Sequence, residues 1–171
     1  MSIEKRVKKA KRGNEKAFQE LIEFEKNKLF RIAYLYVKNE ADALDIVQDT
    51  IYKAFISIKQ LKDPSYFSTW ISRILINTCL DFIKKNSRVM PIDIVNKKSH
   101  YESLPLEDKL DLVEAIERLE IQYKTVIIFR YYKDLSIKQI AEILDCPEGT
   151  VKTRLHRAVH QLKLDLKEEC L

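Results

Sequence analysis

The segment 136–163, SIKQIAEILDCPEGTVKTRLHRAVHQLK, leaves few folds open. It has the pattern of two helices joined by a tight turn. Ile140, Ala141 and Leu144 recur at helical spacing, which predicts a first helix over 137–144 with Ser136 as its cap. The run Asp145-Cys146-Pro147-Glu148-Gly149 is the expected turn. Pro147 cannot continue the first helix, and Gly149 permits a backbone angle that other residues resist. Thr150 is then placed to cap the second helix. At about 100° per residue, Val151, Leu155, Ala158, Val159 and Leu162 share one side of that helix. Lys152, Thr153, His156, Arg157 and His160 share the other, and no carboxylate occurs between Glu148 and Asp165.

In a chain with 26 Asp and Glu, an acid-free helix with a basic outer face fits a polyanion. A helix-turn-helix puts such a second helix into the DNA major groove, where its first turns meet base edges. A solvated amphipathic helix in a bundle is the competing reading of the same residues. The 171 residues give room for one domain or two small ones, and only 2 Gly and 4 Pro favour helices. A net charge of +5 and a pI near 9.0 are compatible with nucleic acid. No apolar run approaches the roughly 20 residues that a membrane helix needs. The N-terminus is polar and basic, so neither membrane insertion nor a signal peptide is expected. Cys79, Cys146 and Cys170 are too widely spaced for a disulfide framework or a zinc knuckle, and a reducing cytoplasm is their simplest home. Cys146 reads as a small half-buried filler. There is no Gly-rich phosphate loop, metal-spaced His/Cys set or Ser/His/Asp arrangement, so no enzyme activity, cofactor or metal is expected.

The rest of the chain reads as all-α. Residues 2–12 carry Lys5, Arg6, Lys8, Lys9, Lys11 and Arg12 against Glu4, and a short solvated helix is expected there. Gly13-Asn14 breaks the chain and caps a helix over 15–37 that buries Phe18, Leu21, Ile22, Leu29, Ile32 and Ala33. Asn39 starts another, over 40–59, with Leu44, Val47, Ile51, Phe55 and Ile58 on its expected core side. Asp42, Asp45 and Asp49 line up on nearly the opposite side, flanked by Gln48 and Tyr52. Such a stripe suits a solvated face or a docking surface for a basic partner. Residues 62–67 form a loop, and Ser68 is placed to cap a helix running to about Asn86. On that helix Ile71, Ile74, Leu75, Thr78 and Phe82 face the core. Trp70, Arg73, Asn77, Lys84 and Arg88 share another side, which suits unpaired bases: rings stack, cations hold phosphate and the amide reads an edge. Trp70 as plain core is the alternative. After a Pro-containing stretch from Arg88 to about Glu107, Leu112, Val113, Ile116 and Leu119 mark a helix over 108–119. The segment 123–132 is apolar nearly all round, as a central bundle helix would be.

Four stretches, in order and across a linker, resemble the extracytoplasmic-function (ECF) sigma factors that carry only sigma regions 2 and 4. They are GNEKAFQELIEFEKNKLFRIAY, DALDIVQDTIYKAF, FSTWISRILINTCLDFIKK and LSIKQIAEILDCPEGTVKTRLHRA. The resemblance implies two small helical domains, a region 2 bundle over 1–88 and a region 4 helix-turn-helix over 108–171, joined by a linker over 89–107 that would thread the RNA exit path. It implies a subunit that binds core RNA polymerase, recognises the −35 and −10 promoter elements and assists melting. Asp45, Gln48 and Asp49, with Tyr52 beside them, would dock on the β′ clamp helices. The loop Lys62, Asp63, Tyr66, Phe67 would pocket a base flipped from the −10 element. Asn77 would read an adjacent base, with Trp70 and Arg73 beside it. Lys152, Thr153, His156 and Arg157 would meet the −35 element, with Arg154 on phosphate, and region 4 would also dock on the β flap. An anti-sigma factor is the other expected partner. Leu119-Glu120 stands where the family often has Leu-Pro. Two other classes compete: a DNA-binding repressor or response-regulator output domain, which shares the helix-turn-helix but gives no work to the first half, and an enzyme, which lacks a catalytic inventory.

Overall fold

The computed structural model describes residues 2–87 and 107–168, and every regular element among them is helical. The chain divides into two compact units, Met1–Ser99 and His100–Leu171. The expected linker lies outside the described residues except for Glu107. Among the described residues, no helix is long and apolar enough to cross a membrane.

In the first unit, Ser2 caps α1 (Ile3–Lys11) and Asn14 caps α2 (Glu15–Val37), each side chain accepting from a backbone N–H one turn on. Gly13, at φ 90°, makes the break between them, a conformation a side chain would strain. Lys38 ends α2 in the left-handed region, and Asn39 caps α3 (Glu40–Ser57) by accepting from Asp42 N–H. Two 3₁₀ turns, Ile58–Gln60 and Pro64–Tyr66, lead into α4 (Phe67–Ser87). Helices α2, α3 and α4 pack on one another, with Leu21, Leu29, Ile32, Ile46, Ile71 and Leu75 fully buried between them.

Three expectations change here. The basic N-terminal helix is docked: Val7 and Ala10 are buried, α1 packs on α2 and on the second 3₁₀ turn, and Arg6 Nε meets Glu20 Oε2 at 2.8 Å. The buried face of α3 is Ala43, Ile46, Val47, Thr50 and Ala54, about a quarter turn from the expected one, so Leu44 and Phe55 are exposed. The reason is steric. Small residues let α2 and α4 approach closely, which leaves the large side chains outside. Helix α4 starts at Phe67, so Ser68 sits inside its first turn instead of capping it.

In the second unit, α5 (Glu107–Arg118), α6 (Ile121–Ile127) and α7 (Ile137–Leu144) all pack on α8 (Glu148–Glu168). Ala115, Leu119, Ile127, Ala158 and Leu162 form a core, with Tyr123, Leu155 and Val159 packed against it. Glu120 takes φ −55° before α6, close to the angle a proline would fix, and its carbonyl accepts from Tyr123 and Lys124 N–H. Leu112 and Val113, expected inside, are exposed; Ala115 takes their place. Helix α6 runs on into a π-helical turn, Ile128–Tyr132, whose Tyr131 and Tyr132 face out, so the segment is buried all round only as far as Phe129.

Ser136 and Gln139 cap α7 reciprocally, side chain to backbone in both directions. The left-handed residue of the following turn is Asp145, at φ 49°, and not Gly149. Helix α8 begins two residues before Thr150, with the Pro147 carbonyl accepting from Thr150 and Val151 N–H. Proline's fixed φ suits a helix start, and Glu148 adds favourable charge at that end.

The α3 geometry is testable by urea denaturation. Leu29→Ala, at a fully buried site, should cost about 2–5 kcal/mol. Leu44→Ala, expected from pattern to be core, should cost no more than about 0.5 kcal/mol.

Candidate nucleic-acid interface

Helix α8 is held by its buried Val151, Ala158 and Leu162, which fixes the opposite side toward solvent. Lys152, Thr153, His156, Arg157 and His160 are all exposed there, and Arg154 is half-buried. Thr153 Oγ1 donates back to the Gly149 carbonyl at 2.9 Å, which orients the side chain. Thr153, Arg154 and Arg157 line one shallow cleft together with Gln122, Tyr123 and Gly149. The arrangement can hold an anion on two guanidinium groups while Lys152 and His156 reach outward as donors.

A second group lies where α4 begins. Lys62, Asp63 and Tyr66 are exposed on the loop. Asp63 Oδ1 accepts from the Ser65 N–H at 2.9 Å and from the Ser65 hydroxyl at 2.8 Å, which closes the 3₁₀ turn. These bonds, with a smaller contribution from the charge of Lys8, hold the Asp63 carboxyl below the usual aspartate range. Phe67 is not on this surface: it is 1% exposed and belongs to the core. Its ring lies 6.0 Å from that of Trp70, tilted by 41°, and so props up a half-buried indole. Arg73 and Asn77 follow Trp70 on the same side of α4, both exposed. Sequence reasoning missed Lys11, whose Nζ donates to the Leu61 carbonyl at 2.6 Å from 50 positions away. No local pattern marks such a contact.

The third group is on α3. Asp45, Gln48, Asp49 and Tyr52 are exposed, and Tyr52 is 64% so. Leu44, Phe55 and Ile56 join them, making a mixed acidic and apolar face that the sequence reading assigned partly to the core. Asp49 Oδ2 pairs with Lys53 Nζ at 2.8 Å, and the same ammonium donates to Thr78 Oγ1 on α4 at 3.2 Å. The i, i+4 spacing of that pair was legible in the sequence, as were the small residues Ala43, Thr50 and Ala54 that mark the contact side. Among the described residues, no group of three His, Cys, Asp or Glu is placed to hold a metal. Burial pushes the Cys79 thiol up to about 12, which makes it a poor nucleophile, and Cys146 is half-buried.

The lowered Asp63 carboxyl has a pH signature. Its hydrogen bonds favour the ionised form, so their contribution is full above the ordinary aspartate value and is lost as pH falls through the lower folded one. An NMR titration of the Asp63 carboxyl should give a midpoint below that of an unstructured aspartate, and Ser65→Ala, which removes the hydroxyl but keeps the larger backbone N–H contribution, should move it only part of the way back up.

Known proteins match this arrangement along nearly its full length. The family model for sigma-70 region 2 matches residues 21–89, and that for sigma-70 region 4 matches residues 109–162. The RNA polymerase sigma factor SigV of Bacillus subtilis is 38% identical, over 85% of this chain and 89% of its own. The ECF RNA polymerase sigma factor SigW of the same organism is 32% identical over 98% of each chain. Among solved structures, the sigma factor RpoE of Bartonella quintana, in complex with the anti-sigma factor NepR, superimposes with a TM-score of 0.71 at 26% identity, covering 89% of this chain and 98% of that one. Two helical units, matched in order by regions 2 and 4 and by relatives aligned over most of their own length, place this chain in the ECF sigma factor family.

Proposed function

We propose that this chain is the promoter-specificity subunit of a bacterial RNA polymerase, acting in the cytoplasm as an initiation factor and not as an enzyme. The observation that carries the reading is α8: one face is locked into a core, and the other is exposed and cationic, with no carboxylate between Glu148 and Asp165. On this reading Lys152, Thr153, His156 and Arg157 meet the edges of the −35 element, and Arg154 holds phosphate. The loop bearing Lys62, Asp63 and Tyr66 receives a base flipped from the −10 element, with Phe67 as its buried support. Trp70 and Arg73 flank the melted strand, and Asn77 reads a neighbouring base. The α3 face of Asp45, Gln48, Asp49 and Tyr52, with Leu44 and Phe55, docks on the β′ clamp helices, and region 4 meets the β flap. An anti-sigma factor is the remaining partner; the RpoE relative was solved bound to one.

Base contacts are worth ~1–3 kcal/mol each, and flipping a base costs a few kcal/mol. Two such weak sites open a duplex only when the polymerase holds both, so that each raises the effective concentration of the other. The isolated chain should therefore bind promoter DNA poorly.

Run-off transcription with core polymerase and a promoter library tests the assignments. Arg157→Ala should weaken use of the −35 element by about 10- to 100-fold without changing core affinity. Asp49→Ala should lower core affinity and leave −35 preference intact. Asn77→Ala should change −10 preference only. Should all three merely lower thermal stability, the site assignments fall.

A further inference from the structure

The first helix takes no part in the function described so far, and its placement gives it one. Val7 and Ala10 point into the first unit, and Lys11 ties its end to the Leu61 carbonyl. On the opposite side, Lys5, Lys8, Lys9 and Arg12 fall within an arc of about 100° and are all exposed. None of the four is in an ion pair among the described residues; Arg6, the helix's one cation paired with a carboxylate there, is on the flank toward Glu20. Lys8 lies on the loop flank, close enough for its charge to lower the Asp63 carboxyl. A row of four exposed cations outside any ion pair among the described residues, held beside a base-receiving loop, is complementary to a phosphodiester backbone.

We propose that the exposed face of α1 is a phosphate-binding surface for the single strand whose base enters the Lys62–Tyr66 loop, with Lys8 as its central contact. The inference rests on the loop reading given above. The contacts carry no base information: they hold the strand in register while the loop selects. Lys11, which touches the loop backbone and not the strand, is a positioning residue for the same loop.

The test uses holoenzyme assembled from core polymerase and the full chain. The probe is a fluorescent non-template single strand bearing the −10 sequence selected from the promoter library, titrated across a series of salt concentrations. Lys8→Gln should weaken binding severalfold, reduce the slope of log affinity against log salt by ~0.7, and leave −10 base preference and core affinity unchanged. Lys8→Arg should restore the slope. A wild-type slope in Lys8→Gln, while Tyr66→Ala loses base preference, overturns the surface and spares the loop reading. Loss of core affinity in Lys8→Gln overturns it in favour of a protein partner. If Tyr66→Ala keeps the wild-type base preference, the loop reading falls and takes the inference with it. Since Lys8 is exposed, an unchanged melting temperature shows that each result comes from a folded chain.

Discussion

Small side chains at the helix contacts govern this molecule. Ala10, Ala43, Thr50, Ala54, Ala115 and Ala158 are all buried, each on a helix that meets its neighbours. Close approach of backbones is what such residues permit, and it frees the larger apolar groups on the same helices from core duty. Leu44, Phe55, Leu112 and Val113 are left at the surface as a result. In a chain this short, that is an economical way to hold a core and still keep apolar area for partners.

The same division of labour appears in the polar groups. Each helix that carries a candidate contact is fixed by its other side, so the contact residues inherit its rigidity. Helix α8 does this with Val151 and Ala158, and α4 with Ile71, Leu75 and Cys79. The loop 62–66 ahead of α4 has no buried apolar side chain of its own. It is held by the Asp63–Ser65 hydrogen bonds, by burial of Leu61 and Phe67 on either side, and by the Lys11 ammonium on the Leu61 carbonyl just before it.

Helix existence was legible in the sequence because Ser2, Asn14, Asn39 and Ser136 are strong caps and Gly and Pro are scarce. Rotational phase was less legible. On α3 the apolar residues occupy an arc wider than the core can use, so hydrophobicity alone pointed to Leu44 and Phe55, whereas close packing chose Ala43 and Ala54. The start of the helix-turn-helix turn was placed correctly, but its end was not, since Glu148 and Gly149 belong to α8, and neither was its left-handed residue. Asp tolerates the left-handed region well enough that Gly149 was not needed for it. On α8 the two faces were read correctly because apolar and cationic residues there do not interleave. The role of α1 depended on Lys11 reaching Leu61, a contact between segments that no window of sequence contains.

The π-helical turn at Ile128–Tyr132 acts as a phase shift. In an uninterrupted α-helix Tyr131 would return to the side of Lys124 and Ile128, both of which are buried. Widening the turn delays everything after it by roughly one residue, or ~100°, and swings the Tyr131 ring outward without any change in composition. It also leaves the Arg130 guanidinium to latch the Leu135 carbonyl at 2.9 Å, just ahead of the α7 cap. A substitution that restored a regular helix here without removing a residue would bring the Tyr131 ring against a filled interior and start α7 and α8 from a different azimuth.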